Sequence, residues 1–313
     1  MKYNHPIRIA YNNHKESFYG RSIYWLIFRS LSYKEKHQKK IVVFYPELPR
    51  PRFILGRIFR ILRYQITTDL QAAEKAAFVV NWENTTFRRQ IPELVNLSAS
   101  RFVINIGCLD ISKKQVDATF GKVFGYQTRI DPTTYQGMCV KKGDINALHN
   151  GTIINCPILY PEDGFIYQKL VNNQVGTSVV EDLRVPVFLT DIPFVYVKNR
   201  PVESRFANKN TKCTIAPTHQ VLSQTEVGKI IDFCKLMRLD YGELDVLRDR
   251  EDNKIYIVDV NNTPIGPPGG ISFLDKIRAL HKLSAAFIKN FIEETPALPL
   301  KMELLQKEAI TID

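Results

Sequence analysis

The chain has 313 residues, 44% of them apolar and 24% charged, which is more than one ordinary hydrophobic core holds and predicts a core domain with attached lobes. These proportions exclude a disordered or fibrous protein. The formal charge of +11 is concentrated in residues 1–70, where fourteen Lys/Arg face four Asp/Glu; such a face suits an acidic substrate, an anionic membrane or nucleic acid, or is simply a solvated surface.

Met1 leads into the polar Lys2-Tyr3-Asn4-His5, which does not read as a signal peptide. Ile7–Tyr11 and Ile41–Tyr45 are apolar runs of strand type. Between them Ile23, Leu26, Ile27 and Leu31 fall at helical spacing, which predicts a β-α-β opening. The apolar run ending at Phe28 is broken by Arg29 and is far shorter than the ~20 residues of a membrane-spanning helix. Pro46, Pro49 and Pro51 then interrupt the chain. Phe53, Ile54, Arg57, Ile58, Ile61 and Leu62 follow as a basic amphipathic helix, which could lie on a membrane but is expected as a surface helix packed on the first lobe.

Phe78–Asn81 and Phe102–Ile106 predict buried strands with a helix over Pro92–Ala99, so residues 1–125 form an α/β lobe. Ser112 with Gln115 fits a capping box opening a helix that ends near Gly125. From Gly137 the pattern changes to short strands: Met138–Lys142, Thr152–Cys156, Phe165–Val171, Leu183–Leu189 and Phe194–Lys198. Ser223 with Glu226 makes a second capping box, and Val227, Ile230, Ile231, Cys234 and Met237 form a core-facing stripe. A last helix is expected from Ser272 to Ile292, before a Pro-broken tail. No internal repeat or low-complexity segment is present. The five cysteines, Cys108, Cys139, Cys156, Cys213 and Cys234, stand without a CxxC pair and read as reduced thiols of a cytosolic protein.

The chemistry concentrates in residues 239–264. Two alternating strands, Leu239–Leu247 and Ile255–Asn261, are joined by the polar loop Asp249–Asn253, which predicts an antiparallel hairpin. Residues two apart share a face, so Asp259 and Asn261 project together, and pairing brings Asp245 beside them. Magnesium takes such oxygens at ~2.1 Å and fills its remaining positions with phosphate and water.

With these residues the sequence resembles the ATP-grasp superfamily, whose signature is an Asp on one strand and Glu-x-Asn on the next. Here Asp259 stands for the Glu, and Ile265 separates Pro264 from Gly266. The resemblance implies that Asp245, Asp259 and Asn261 bind Mg2+. Glu181-Asp182-Leu183-Arg184 is similar to the Asp-x-Arg strand of the superfamily, and Phe165–Val171, with Gln168, Lys169 and Leu170, to its adenine hinge. Gly137–Lys142 is similar to the lid strand with a phosphate lysine, Lys141 or, preferred, Lys142. Gly143–Gly151 occupies the place of the Gly-rich flap, with glycine only at its ends. Lys198, Arg200 and Arg205 lie where related ligases carry cations for the γ-phosphate and acyl intermediate, Arg205 being the better catalytic candidate and Arg200 the next, with Asn208 nearby. His149 and His219 are read as loop or packing residues.

The implied fold is α/β of the α+β kind, with two antiparallel-sheet subdomains sandwiching ATP. Its parts are a lobe (1–125), a lid (126–175), a core (176–295) and a tail (296–313). The implied activity is ligation of a carboxylate to an amine through an acylphosphate, giving ADP, on a small acidic substrate, in surface-polysaccharide or secondary metabolism. A small-molecule kinase and a non-catalytic basic nucleotide-binding protein are the alternatives. Peripheral membrane contact through the basic lobe is open. Dedicated nucleic-acid binding is not expected, because aromatic and basic residues are not interleaved.

Overall fold

The computed structural model describes residues 18–31, 40–145, 150–207 and 209–294. The expected strand Ile7–Tyr11, His149 with the flap interior, Asn208 and the tail from 296 lie outside them. In chain order the first part holds α1 (Phe18–Ser30), β1 (Ile41–Pro46), α2 (Ile54–Ile61), β2 (Gln65–Thr67), β3 (Phe78–Trp82), α3 (Pro92–Ser98), β4 (Val103–Ile104) and α4 (Lys113–Phe124). Then come β5 (Gly137–Gly143), β6 (Thr152–Cys156), β7 (Phe165–Lys169), β8 (Gln174–Val175), β9 (Val179–Phe188), β10 (Val195–Pro201) and β11 (Lys212–Ala216). The chain continues through α5 (Thr218–Val221), α6 (Gln224–Leu236), β12 (Tyr241–Arg248), β13 (Ile255–Asn261) and α7 (Phe273–Phe287), which runs on as a π-helical turn, Ile288–Glu293.

The first sheet is parallel, in the order β2-β1-β3-β4. Both its faces are covered, as parallel sheets require. Val42, Phe44, Val80 and Ile104 pack with α2 and α7, while Val43, Val79 and Val103 turn to the opposite side with Leu94 of α3. The chain reverses direction across the sheet at β1 and β3, and at such a switch point the loops leaving the strands' carboxyl ends part to form a crevice.

The helix at Phe53–Leu62 separates the two alternatives left open for it. Ile54, Leu55, Ile58, Phe59, Ile61 and Leu62 are all buried, and the Phe59 ring meets Phe44 and Phe287 edge-on. With its apolar residues enclosed, α2 packs on the first lobe and does not lie on a membrane. Two details differ from expectation. The strand expected over Phe102–Ile106 shrinks to Val103–Ile104, because Asn105 takes a positive φ of 59°. At α4, Ser112 Oγ accepts from Gln115 N–H, but the Gln115 amide turns to Thr119, so only half of that capping box forms. The box of Ser223 and Glu226 is complete.

β6-β5-β7 form a three-stranded antiparallel sheet. The largest sheet, β11-β10-β9-β12-β13 with β8 against β9, is also antiparallel. On one face Leu183, Val185, Leu244, Val246 and Val260 pack against α4 and α6, so α4 lies against this sheet although it falls within residues 1–125. The other face carries polar side chains toward the small sheet.

Candidate functional site

The polar face follows from strand periodicity. Asp245 pairs directly with Asp259, and Glu243 with Asn261, so all four side chains leave the same face of the β12–β13 hairpin. The neighbouring strand brings Arg184 beside Asp245, and β10 brings Lys198 beside Asp182. Gly242 lets the strands close up there: an added Cβ would stand 2.8 Å from the Asn261 carbonyl oxygen. Between this face, the small sheet and the first lobe lies a cleft of about 820 Å³. Every candidate side chain of the sequence analysis lines it except Lys141. Adjacent residues of a strand point to opposite faces, so Lys142 enters the cleft while Lys141 turns outward to Glu162 and the Phe165 ring.

Within the cleft, charges are paired in a defined order. Lys198 Nζ donates to Asp245 Oδ1 at 2.7 Å. Burial opposes ionisation of Asp245, but Lys198, Arg184 and Arg200 outweigh it and hold its carboxyl well below the ordinary carboxylate range. Asp259 lacks a cation of that closeness: burial raises its carboxyl, the Asp245 charge adds to this, and Lys113 and Lys142 only partly compensate. Asp259 Oδ1 accepts from Val260 N–H at 3.1 Å and Asn261 Oδ1 from Thr263 N–H at 3.0 Å. Lys142, which reaches the Val258 carbonyl oxygen at 3.4 Å, is pushed down to about 8 by burial. Among the described residues no group of three or more His, Cys, Asp or Glu side chains is placed to hold a metal ion; the candidate triad uses two carboxylates and one amide.

Several candidates are committed to structural partners. Arg200 Nη2 donates to Asp182 Oδ2 at 2.5 Å, and its Nη1 donates to the carbonyls of Arg205 and Ala207. Asp182 also accepts from Asn173 Nδ2 at 2.8 Å, and burial raises its carboxyl against the pull of Lys198 and Arg200. Arg205 Nη2 donates to the Val171 carbonyl and to Asn173 Oδ1 at 2.7 Å, which ties it to the strand end after Leu170. Gln168 Nε2 donates to Thr128 Oγ1, and Lys169 Nζ lies 2.6 Å from Asp249 Oδ2 in the β12–β13 turn. Arg184 donates through Nε to the buried Glu243.

Sequence reasoning missed two parts of the cleft. Lys113 opens α4, is buried, and acts electrostatically on both Asp259 and Lys142. A signal existed: the first turn of α4 carries lysines and no acid, against the preference of a helix N-terminus for negative charge. The second part is the first lobe's crevice, where Arg52, Asn84, Thr85 and Thr86 line the cleft and Thr263 Oγ1 bonds Asn84 Oδ1 at 2.8 Å. Nothing local in the sequence joins β3's loop to the end of β13.

Among solved structures, the chain is similar to the ATP-grasp ligase PsnB complexed with a phosphomimetic variant of its minimal precursor, Mg and ADP. The identity is 13%, the TM-score 0.53, and the match covers 83% of this chain and 99% of that one. PsnB complexed with precursor peptide PsnA2 and AMPPNP matches at 12% identity and a TM-score of 0.50, over 83% and 99% of the two chains. The D-alanine–D-alanine ligase from Bacillus anthracis complexed with ATP matches at 13% identity and 0.48, over 81% and 97%. No family model and no curated protein matches the chain. The chain has the ATP-grasp fold, a mixed α/β architecture of parallel and antiparallel sheets.

Proposed function

We propose that this protein is an ATP-dependent ligase that activates a carboxylate as an acylphosphate and joins it to an amine. The observation that carries the reading is the facing of Asp245, Asp259 and Asn261 on one sheet by Lys142 from the other, across a cleft of about 820 Å³. That volume suits a nucleotide with a small second substrate.

The residues fit a magnesium nucleotide. Asp259 is held up by burial and by its neighbour Asp245, and a divalent cation shared by the two carboxylates and the Asn261 amide oxygen would relieve both effects. Lys142, lowered to about 8 by burial, would recover its full charge beside phosphate. Bound there, magnesium would neutralise phosphate oxygens and favour charge developing on them. The chain's own side chains do the rest. Lys198 orients Asp245, Lys142 and Lys113 bring positive charge to the phosphates, and Gln168 to Leu170 line the adenine end. Arg52, Asn84, Thr85 and Thr86 line the end left for the acid.

In the proposed reaction a carboxylate oxygen attacks the γ-phosphorus and the bond to the β-phosphate oxygen breaks, releasing ADP. The amine nitrogen then attacks the acyl carbon, inorganic phosphate departs, and the nitrogen loses a proton. Catalysis by this cleft is positioning and charge neutralisation, with no covalent bond to the enzyme. The acid is a small molecule in this reading. A peptide carboxylate is the second reading, favoured by the fold match to PsnB complexed with a precursor peptide.

Thermal shift with ATP and magnesium, then with added candidate acids, tests the proposal. Saturation at about a hundred times Kd stabilises by about 2.7 kcal/mol, and Asp259→Ala should abolish that shift. With the right acid and amine, ADP and phosphate should form together with an amide. AMP and pyrophosphate would rule the ligase mechanism out, and a stable phosphorylated acid would make the protein a kinase.

A further inference from the structure

α1 is apolar on two sides. Its inner side, Ile27 with Ile23, Tyr24 and Phe28, packs on the core shared by α2 and α7. Its outer side carries Trp25 and Leu26, 45% and 59% exposed, together with Arg29, whose guanidinium lies 5.0 Å from the Trp25 ring centre. A helix that only covered the lobe would place polar residues there. Besides Arg29 on this face, positive charge lies at the inner edge of the helix, where Arg63 stands 4.6 Å from the Phe28 ring, and at the neighbouring Tyr64, whose ring is 5.7 Å from Lys40. Residues 18–31 and 40–66 contain eight Lys/Arg, of which Arg52 lines the cleft, and one acid, Glu47. That acid stands at the carboxyl end of β1, beside Asn84 N–H. Among the described residues, none of α1 lines the cleft.

We propose that the outer face of α1 docks on the anionic surface of a lipid bilayer. Trp25 and Leu26 enter the interfacial layer, where tryptophan is favoured, and Arg29, Lys40 and Arg63 meet lipid phosphates. One apolar pair or one basic cluster alone binds weakly; the two together supply the pair of signals that stable attachment takes. Charge alone would also suit nucleic acid, but the projecting Leu26 has no complement on a phosphate backbone. Among the described residues no helix is long and apolar enough to cross a membrane, so the contact is peripheral. This docking concerns a face separate from the cleft and does not depend on the ligase reading.

The full chain is mixed with neutral phosphatidylcholine vesicles and with vesicles containing about one third phosphatidylserine, then sedimented while tryptophan emission is read. Trp82 is 1% exposed and is the chain's other tryptophan, so a blue shift reports Trp25. Expected are sedimentation with the anionic vesicles alone, a blue shift, and weakening by salt. Trp25→Ser with Leu26→Ser, and separately Arg29→Glu, should each lower partition at least about five-fold with Tm unchanged, since these side chains point outward. Equal binding to neutral vesicles, no binding, sedimentation without a blue shift, or variants that partition like wild type would each overturn the proposal. So would a dimer that the Trp25→Ser, Leu26→Ser variant converts to monomer, which would assign the face to a second copy of the chain.

Discussion

Arg200 gives both Nη groups to Asp182 and to backbone carbonyls, whereas among the described residues Lys142 makes one long contact, to a carbonyl oxygen. Both are cations in one cleft, yet their removal should read differently. Arg200→Ala leaves Asp182 buried without its closest cation and should cost about 3 kcal/mol in urea unfolding. Lys142→Met removes a charge that burial already disfavours, so stability should stay within about 1 kcal/mol while MgATP binding is lost. If Arg200→Ala unfolded like wild type, the Asp182 pairing would not be part of what holds β9 to β10.

α6 shows how an element's ends are decided. Ser223 and Glu226 exchange hydrogen bonds at its N-terminus, and Glu226 also accepts two bonds from Arg248 of β12, each 2.9 Å long. Burial would raise the Glu226 carboxyl, but Arg248 and the Ser223 N–H outweigh it and hold it below its ordinary value. A carboxyl depressed in the folded state adds stability that is fully present above its unfolded pKa and is lost as pH falls through the folded one. Glu226→Gln should therefore lower Tm at pH 7 and narrow the gap to wild type on acidification below the ordinary carboxylate range. A gap constant from pH 7 into that acidic range would show that the depressed carboxyl has no part in acid stability.

Across the whole molecule, stability is unevenly distributed. One hydrophobic cluster runs from β1, α2 and β3 through Phe188, Tyr196 and Tyr241 to α7, joining the first lobe to the large sheet. The small sheet instead rests on a cluster whose buried members are Cys139, Cys156 and Tyr167, and β6 is one of its edge strands. Amides of β6 should exchange with solvent at least about a hundred-fold faster than those of β9 and β12, by native-state hydrogen exchange. MgATP should slow exchange in β5 and β7, which face the cleft. Uniform protection across all three sheets would contradict this ranking.

Local pattern made much of this legible. A period of two along residues 255–261 placed Asp259 and Asn261 on one face, and the hairpin turn placed Asp245 opposite, because strand geometry is set within a few residues of chain. Capping at Ser223 and the stripe of α6 were equally local. What covers a face is not local. The apolar periodicities of α1 and α2 look alike in sequence, and only packing encloses Phe59 while leaving Trp25 outside. Lys113 acts electrostatically on Asp259 because α4 packs on β13, and Asn84 meets Thr263 because the parallel and antiparallel sheets abut, each across more than a hundred residues. Charge type and strand face were therefore determined by the amino-acid order, while tertiary structure decided which of the cleft's cations are paired with buried acids and which are not, since desolvation and pairing depend on neighbours distant in the chain.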